Sequence, residues 1–136
     1  PLSRMVQPDI AIITTIAPVH IENFLEGIDG IAYAKAEVFA GVRAGGIAIV
    51  HGDVDQIPIL KAEAARYGVG RVYTFGDHEG NDAVMLETLV ARNGVRAQAR
   101  IIDEDVSFTL RDGGAHHARN ALAVLLAMKL MGLDVQ

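Results

Sequence analysis

Three short apolar runs, Ile10–Ile16, Ile47–Val50 and Val72–Phe75, are separated by stretches whose apolar residues recur at helical spacing. Strands that alternate with helical segments predict βαβ units, a parallel sheet and right-handed crossovers. The first run is continuous and β-branched, the pattern of a strand covered on both faces. Pro18 ends its pairing because it has no N–H to give the ladder. Between Ile21 and Val42 the period changes: Ile28, Ile31, Val38 and Val42 fall at steps of three, seven and four, with Phe39 alongside. Lys35 stands in the middle of the seven-residue step, on the expected apolar side. Gly45-Gly46 stops this helix. The second run ends at His51-Gly52-Asp53. Ile57–Tyr67 reads as an amphipathic helix with Ile57, Leu60, Ala64 and Tyr67 on one side, closed by Gly68 and Gly70.

Beyond the polar loop at Gly76–Asp82 the period falls to two. Val84, Leu86, Thr88 and Val90 alternate with other residues, and Asn93-Gly94 signals a tight hairpin turn. Val95, Ala97, Ala99 and Ile101 form the expected return strand, and Val106, Phe108 and Leu110 a third. Asp112-Gly-Gly114 breaks this antiparallel meander, and an Ala/Leu-rich helix over 116–131 closes the chain before Gly132. The expected fold is therefore α/β: a parallel βαβαβ unit, a small antiparallel meander and a closing helix.

With 136 residues, 51% hydrophobic and 21% charged, the chain can bury one domain core. Its net charge of −5, with twelve Lys and Arg never in a run, argues against a nucleic-acid surface. The absence of Cys excludes disulfides, thiolate zinc sites and Cys nucleophiles, and fits a reducing cytoplasm. No apolar run is long enough to span a membrane. A cytoplasmic α/β domain is expected.

Several residues could carry chemistry. His20 follows the first strand and can be either a backbone-satisfied loop histidine or a ligand at the mouth of the sheet. A lysine in an apolar stripe must snorkel, pair or be modified, because an unpartnered buried ammonium is costly. Lys35 cannot pair with Glu37, since positions two apart on a helix diverge. Snorkelling is one outcome for it. Carbamylation by CO₂ is the other, and would present a carboxylate suited to a hard cation such as Mg²⁺. Asp53, just past the second strand, is either a turn aspartate or a site residue. His116 and Asn120 share a helical face, which capping and solvation also explain. His78 and Glu79 read as solvated, and His51 gives no sign of a catalytic triad. There is no HExxH, GxSxG, GxGxxG or phosphate-binding Gly-rich loop.

Three segments in order, Ala17-Pro-Val-His20-Ile-Glu-Asn-Phe24, Ile31-Ala-Tyr-Ala-Lys35-Ala-Glu-Val-Phe-Ala-Gly-Val42 and Gly114-Ala-His116-His-Ala-Arg-Asn120 running to Gly132, resemble the central domain of the Mur ligases. These are ATP-dependent amide-forming enzymes of peptidoglycan synthesis. The resemblance covers nearly the whole chain and favours the members that add D-alanyl-D-alanine to UDP-muramoyl tripeptide through an acyl phosphate. It implies ATP and Mg²⁺ as cofactors and a part in cell-wall biogenesis, cell shape and cell division. His20 would help to hold Mg²⁺, and Lys35 would be the carbamylated lysine of the second metal site. His116, Asn120 and Asp53 would lie toward the nucleotide.

Thr15 and His117 depart from the Asn that many members carry at those places. The family's phosphate loop lies upstream of the matching region. Together with the opening Pro1, this leads us to expect residues 1–136 to be the C-terminal part of that central domain. Such a piece would be inactive alone and prone to self-association. A sibling Mur ligase, a folylpolyglutamate synthase and a non-catalytic module of the same fold are the alternatives.

Overall fold

The computed structural model describes residues 8–14, 27–111 and 114–133. The chain divides into two compact units, residues 1–73 and 74–136. The strands are hydrogen-bonded in the order β1 to β6.

The first unit is built from β1 (Ile10–Ile13), α1 (Ile28–Ala36) with a 3-10 turn over Glu37–Gly41, β2 (Ile47–His51), α2 (Ile57–Arg66) and the start of β3 (Arg71–Gly76). β1 and β2 run parallel with Ile10 opposite Ile47 and Ile13 opposite Val50, so both end at the same edge. Ala11, Ile13, Ala48 and Val50 pack with Ala32, Ala36 and Phe39 from the α1 segment and with Leu60 and Ala64 of α2. Burial of these apolar groups is the main favourable term for such a unit. The alternation β1-α1-β2-α2-β3 is the one expected. β1 differs in being covered on one face along its length: Ala11 and Ile13 are buried while Ile12 is exposed.

Gly70 illustrates how tightly the strand starts are joined. Its N–H donates to the Gly46 carbonyl at 2.9 Å. A Cβ at position 70 would lie 2.7 Å from the Gly45 carbonyl oxygen, a clash that only glycine avoids.

The second unit contains the end of β3, then β4 (Ala83–Ala91), β5 (Gly94–Ile101), β6 (Glu104–Leu110) and α3 (Ala115–Leu130). β3 and β4 are parallel at only two positions, Phe75 opposite Ala83 and Gly76 opposite Val84. Their connection, residues 77–82, is too short for a regular crossover, which confines the parallel contact to the strand ends. Asp82 clasps it: the Thr74 N–H donates to Asp82 Oδ2 at 2.9 Å, and the Asp82 N–H donates to the Thr74 carbonyl at 3.0 Å.

β4, β5 and β6 form the expected antiparallel meander. Two details differ from the sequence pattern. Ala91 pairs with Gly94, so the two-residue turn is Arg92-Asn93 rather than Asn93-Gly94. Gly94 instead opens β5 with φ 153°, and a Cβ there would collide with the Leu110 carbonyl oxygen of β6. A β-bulge also shifts the register between Met85 and Glu87. Ala83 and Met85 pair with Ile101 and Ala99 before it, and Thr88 and Val90 pair with Ala97 and Val95 after it. The expected stripe of Val84, Leu86, Thr88 and Val90 is thus split between the two faces. α3 buries Ala118, Leu122, Ala123, Leu126 and Ala127, with Ala118 against Val95 and Ala97.

Candidate functional site

In open parallel sheets ligands gather beyond the carboxyl ends of the strands, where helices begin. In the first unit that edge carries Thr14 after β1 and His51 at the end of β2. The turn after β2 folds Asp53 back toward the strand end. His51 Nε2 lies 3.6 Å from Asp53 Oδ2, and the two side chains are only 16% and 14% exposed. Here an imidazole and a carboxylate lie largely out of water, and they attract as an ion pair only when His51 is protonated. Past them, the Gln56 side-chain amide at the start of α2 donates to Asp29 Oδ1 in the first turn of α1 at 3.4 Å. The beginnings of both helices are thereby linked, and Asp29 sits where a helix N-terminus favours negative charge.

Lys35 stands in the last turn of α1 and is exposed, which corrects the expectation that it lies on the apolar side. The buried positions are Ile31, Ala32 and Ala36, continued by Phe39 after the helix tightens into the 3-10 turn. The centre of the stripe therefore runs through 32, 36 and 39, and Lys35 falls on its flank. Its charge there complements the C-terminal end of the helix dipole. His20, its expected partner, lies outside the described residues. Among the described residues no three His, Cys, Asp or Glu side chains converge as a metal cluster.

In the second unit α3 starts after Gly114, whose extended backbone provides no side-chain cap. The His117 and Ala118 N–H groups return to the Gly114 carbonyl at 3.0 and 3.2 Å. His116 is the second residue of α3, and its side chain lies outside the described set. Asn120 is half-buried one turn further on.

Between them the sequence reading missed Arg119. Its Nη2 donates to Asp77 Oδ2 at 3.2 Å, tying the second turn of α3 to the loop that leaves β3. Arg119 Nε is buried and makes no hydrogen bond among the described residues. No local signal could have found this pair, because 42 positions separate its members. The His51–Asp53 approach did have one, a His-Gly-Asp triplet at a strand end. His78 is exposed as expected, while Glu79 forms an ion pair with Arg100 at 3.3 Å.

Residues 1–128 match the Mur ligase middle domain. The chain is 28% identical over 133 residues to the UDP-N-acetylmuramoyl-tripeptide–D-alanyl-D-alanine ligase of Haemophilus influenzae, covering 94% of this chain and 27% of that protein. It is 29% identical over 129 residues to the UDP-N-acetylmuramate–L-alanine ligase of Streptomyces avermitilis, covering 93% of this chain and 27% of that one. The crystal structure of a MurF ligase from Thermotoga maritima in complex with ADP matches the fold with a TM-score of 0.79 at 25% identity, over 99% of this chain and 30% of that structure. The chain thus spans about a quarter of the length of the relatives it matches.

Proposed function

This chain belongs to the Mur ligase middle-domain family, and on that premise we propose that it is the C-terminal part of the central domain of an ATP-dependent ligase that adds D-alanyl-D-alanine to UDP-N-acetylmuramoyl tripeptide. The observation that supports this reading is the match, over 94% of this chain, to a relative named for that activity. The proposed reaction has two steps. The tripeptide carboxylate takes the γ-phosphoryl group of ATP and releases ADP. The amine of D-alanyl-D-alanine then attacks the acyl carbon, giving up a proton as phosphate leaves.

Mg²⁺, when bound, would offset the repulsion between the attacking carboxylate and the polyphosphate. In this reading His20 and a carbamylated Lys35 hold that cation. Asp53, at the strand-end edge, and Asn120 and His116, on α3, serve the nucleotide. Positioning and charge compensation are what these residues supply.

The test is phosphate release by the whole protein carrying this chain, supplied with ATP, Mg²⁺, UDP-muramoyl tripeptide and D-alanyl-D-alanine. Turnover with that pair is expected, together with a ¹³CO₂-derived carbamate NMR signal that Lys35→Ala abolishes. The match to an L-alanine-adding relative favours one rival specificity. Turnover only with UDP-N-acetylmuramate and L-alanine would establish that reading instead. The 136-residue chain by itself is expected to bind ATP weakly and to release no phosphate, because its sequence has no Gly-rich loop to cradle phosphates. Calorimetry giving a micromolar dissociation constant for ATP would contradict that.

A further inference from the structure

The chain has seventeen Asp and Glu against twelve Lys and Arg, so each arginine has acids to choose from. Most use a nearby side chain. Arg43 pairs with Asp9, Arg66 with Glu63, Arg100 with Glu79 and Asp105, and Arg119 with Asp77. Arg71 donates to the Tyr73 hydroxyl at 2.9 Å. The described arginines with no side-chain partner are Arg92, Arg96 and Arg111, and all three stand at the same end of the meander. Arg96 is opposite Leu89 on one side and Thr109 on the other, Arg92 is in the β4–β5 turn, and Arg111 follows the end of β6.

Arg96 and Arg111, with Leu89, Ala91, Gly94 and Thr109 among others, line an open cavity of about 420 Å³, and the described residues of its wall include no carboxylate. Like charges brought together without acids repel one another and attract anions. Leu89, 58% exposed, adds an apolar surface at the same place. A concave site of this size with an apolar wall and a few convergent polar groups has the composition of a small-molecule site. The guanidinium fork is matched to planar or tetrahedral oxyanions.

We propose that this cavity binds a small organic anion, whose carboxylate or phosphate is held by Arg96 and Arg111 and whose apolar body lies against Leu89. Arg92 contributes to the field and Thr109 offers a hydroxyl. The site belongs to the second unit alone and is independent of the ligase reading.

The test is an NMR titration of the ¹⁵N-labelled chain at low ionic strength with inorganic pyrophosphate and, separately, with succinate. Saturable shifts are expected at the Gly94, Val95, Arg96 and Arg111 amides with at least one of the two, and which one responds identifies phosphate or carboxylate as the recognised group. Arg96→Gln combined with Arg111→Gln should weaken binding about tenfold or more. Lys61→Gln, which removes an exposed lysine of the first unit, should leave binding unchanged. If the double variant loses its dispersed spectrum, Arg111→Gln alone supplies the reading, since that residue lies outside the strands. Shifts that fail to saturate with either anion up to about 10 mM would overturn the proposal. So would equal binding by the arginine variants, or an equal loss in Lys61→Gln.

Discussion

At the β5–β6 end of the meander, the two-residue turn Ile102-Asp103 sits among acids that hold cations. Lys129 reaches Glu104 at 2.7 Å and Asp103 at 3.4 Å, and Arg100 meets Glu79 and Asp105. At the β4–β5 end, the turn carries Arg92 and is flanked by Arg96 and Arg111, none of which has such a partner among the described residues. Both turns are two residues long and both join neighbouring antiparallel strands of the meander. One end uses its charges to hold the fold together, and the other leaves them available. The turns also differ in backbone: Gly94 takes up the close approach at the basic end, whereas at the acidic end Ile102, a β-branched residue, is held at φ 61°. Such residues rarely adopt positive φ, and the conformation costs about 1–3 kcal/mol.

The largest expected effect comes from breaking the basic end. Gly94→Ala places a Cβ against the Leu110 carbonyl oxygen, so the β5–β6 pairing must shift. A loss of about 2–4 kcal/mol in urea unfolding is expected. A loss below about 0.5 kcal/mol would mean that the strands separate there at little cost. The opposite sign is expected at the acidic end. Ile102→Gly relieves the positive-φ strain and should raise stability by about 1 kcal/mol, after allowing for the greater freedom of glycine in the unfolded chain. Thermal unfolding of this variant below the parent's midpoint would show that the Ile102 side chain contributes more than its backbone costs.

The smallest effect concerns Lys129. Its hydrogen bond to Glu104 raises the ammonium pKa above the usual 10.5, partial desolvation opposes the rise, and Asp103 adds to it. A lysine pKa raised on folding gives stability that is complete below the unfolded value and is lost as pH climbs through the folded one. Urea midpoints at about pH 9 and about pH 11.5 should therefore fall less in Lys129→Met than in the parent. An identical fall in both would remove Lys129 from the account.

The parallel half was legible because buried strands and amphipathic helices differ in period, and glycines mark the boundaries. The Lys35 reading failed on phase. A seven-residue gap between Ile31 and Val38 looks like two turns of one stripe, but the helix tightens after Ala36 and the buried line moves to Ala32, Ala36 and Phe39. Strand pairing was legible in the meander from the alternation of Val95, Ala97, Ala99 and Ile101. Its bulge was not, because an extra residue is defined only against the partner strand. The same holds for the sites. Asp53 could be proposed from its place at a strand end, whereas the partner of Arg119 and the bare arginine cluster depend on which distant residues meet.

The bulge in β4 means that the chain there is one residue longer than its ladder. Met85 faces Ala99 and Glu87 faces Gln98, so every pairing on either side is complete without Leu86. Losing a residue inside a strand ordinarily turns all later side chains to the wrong face. At this position a deletion would instead leave each partner where it is and straighten the strand. The meander can therefore shed one residue at position 86 and keep both its hydrophobic face and its basic end. In most strands a length change is among the least tolerated; here the ladder already contains the place to absorb it.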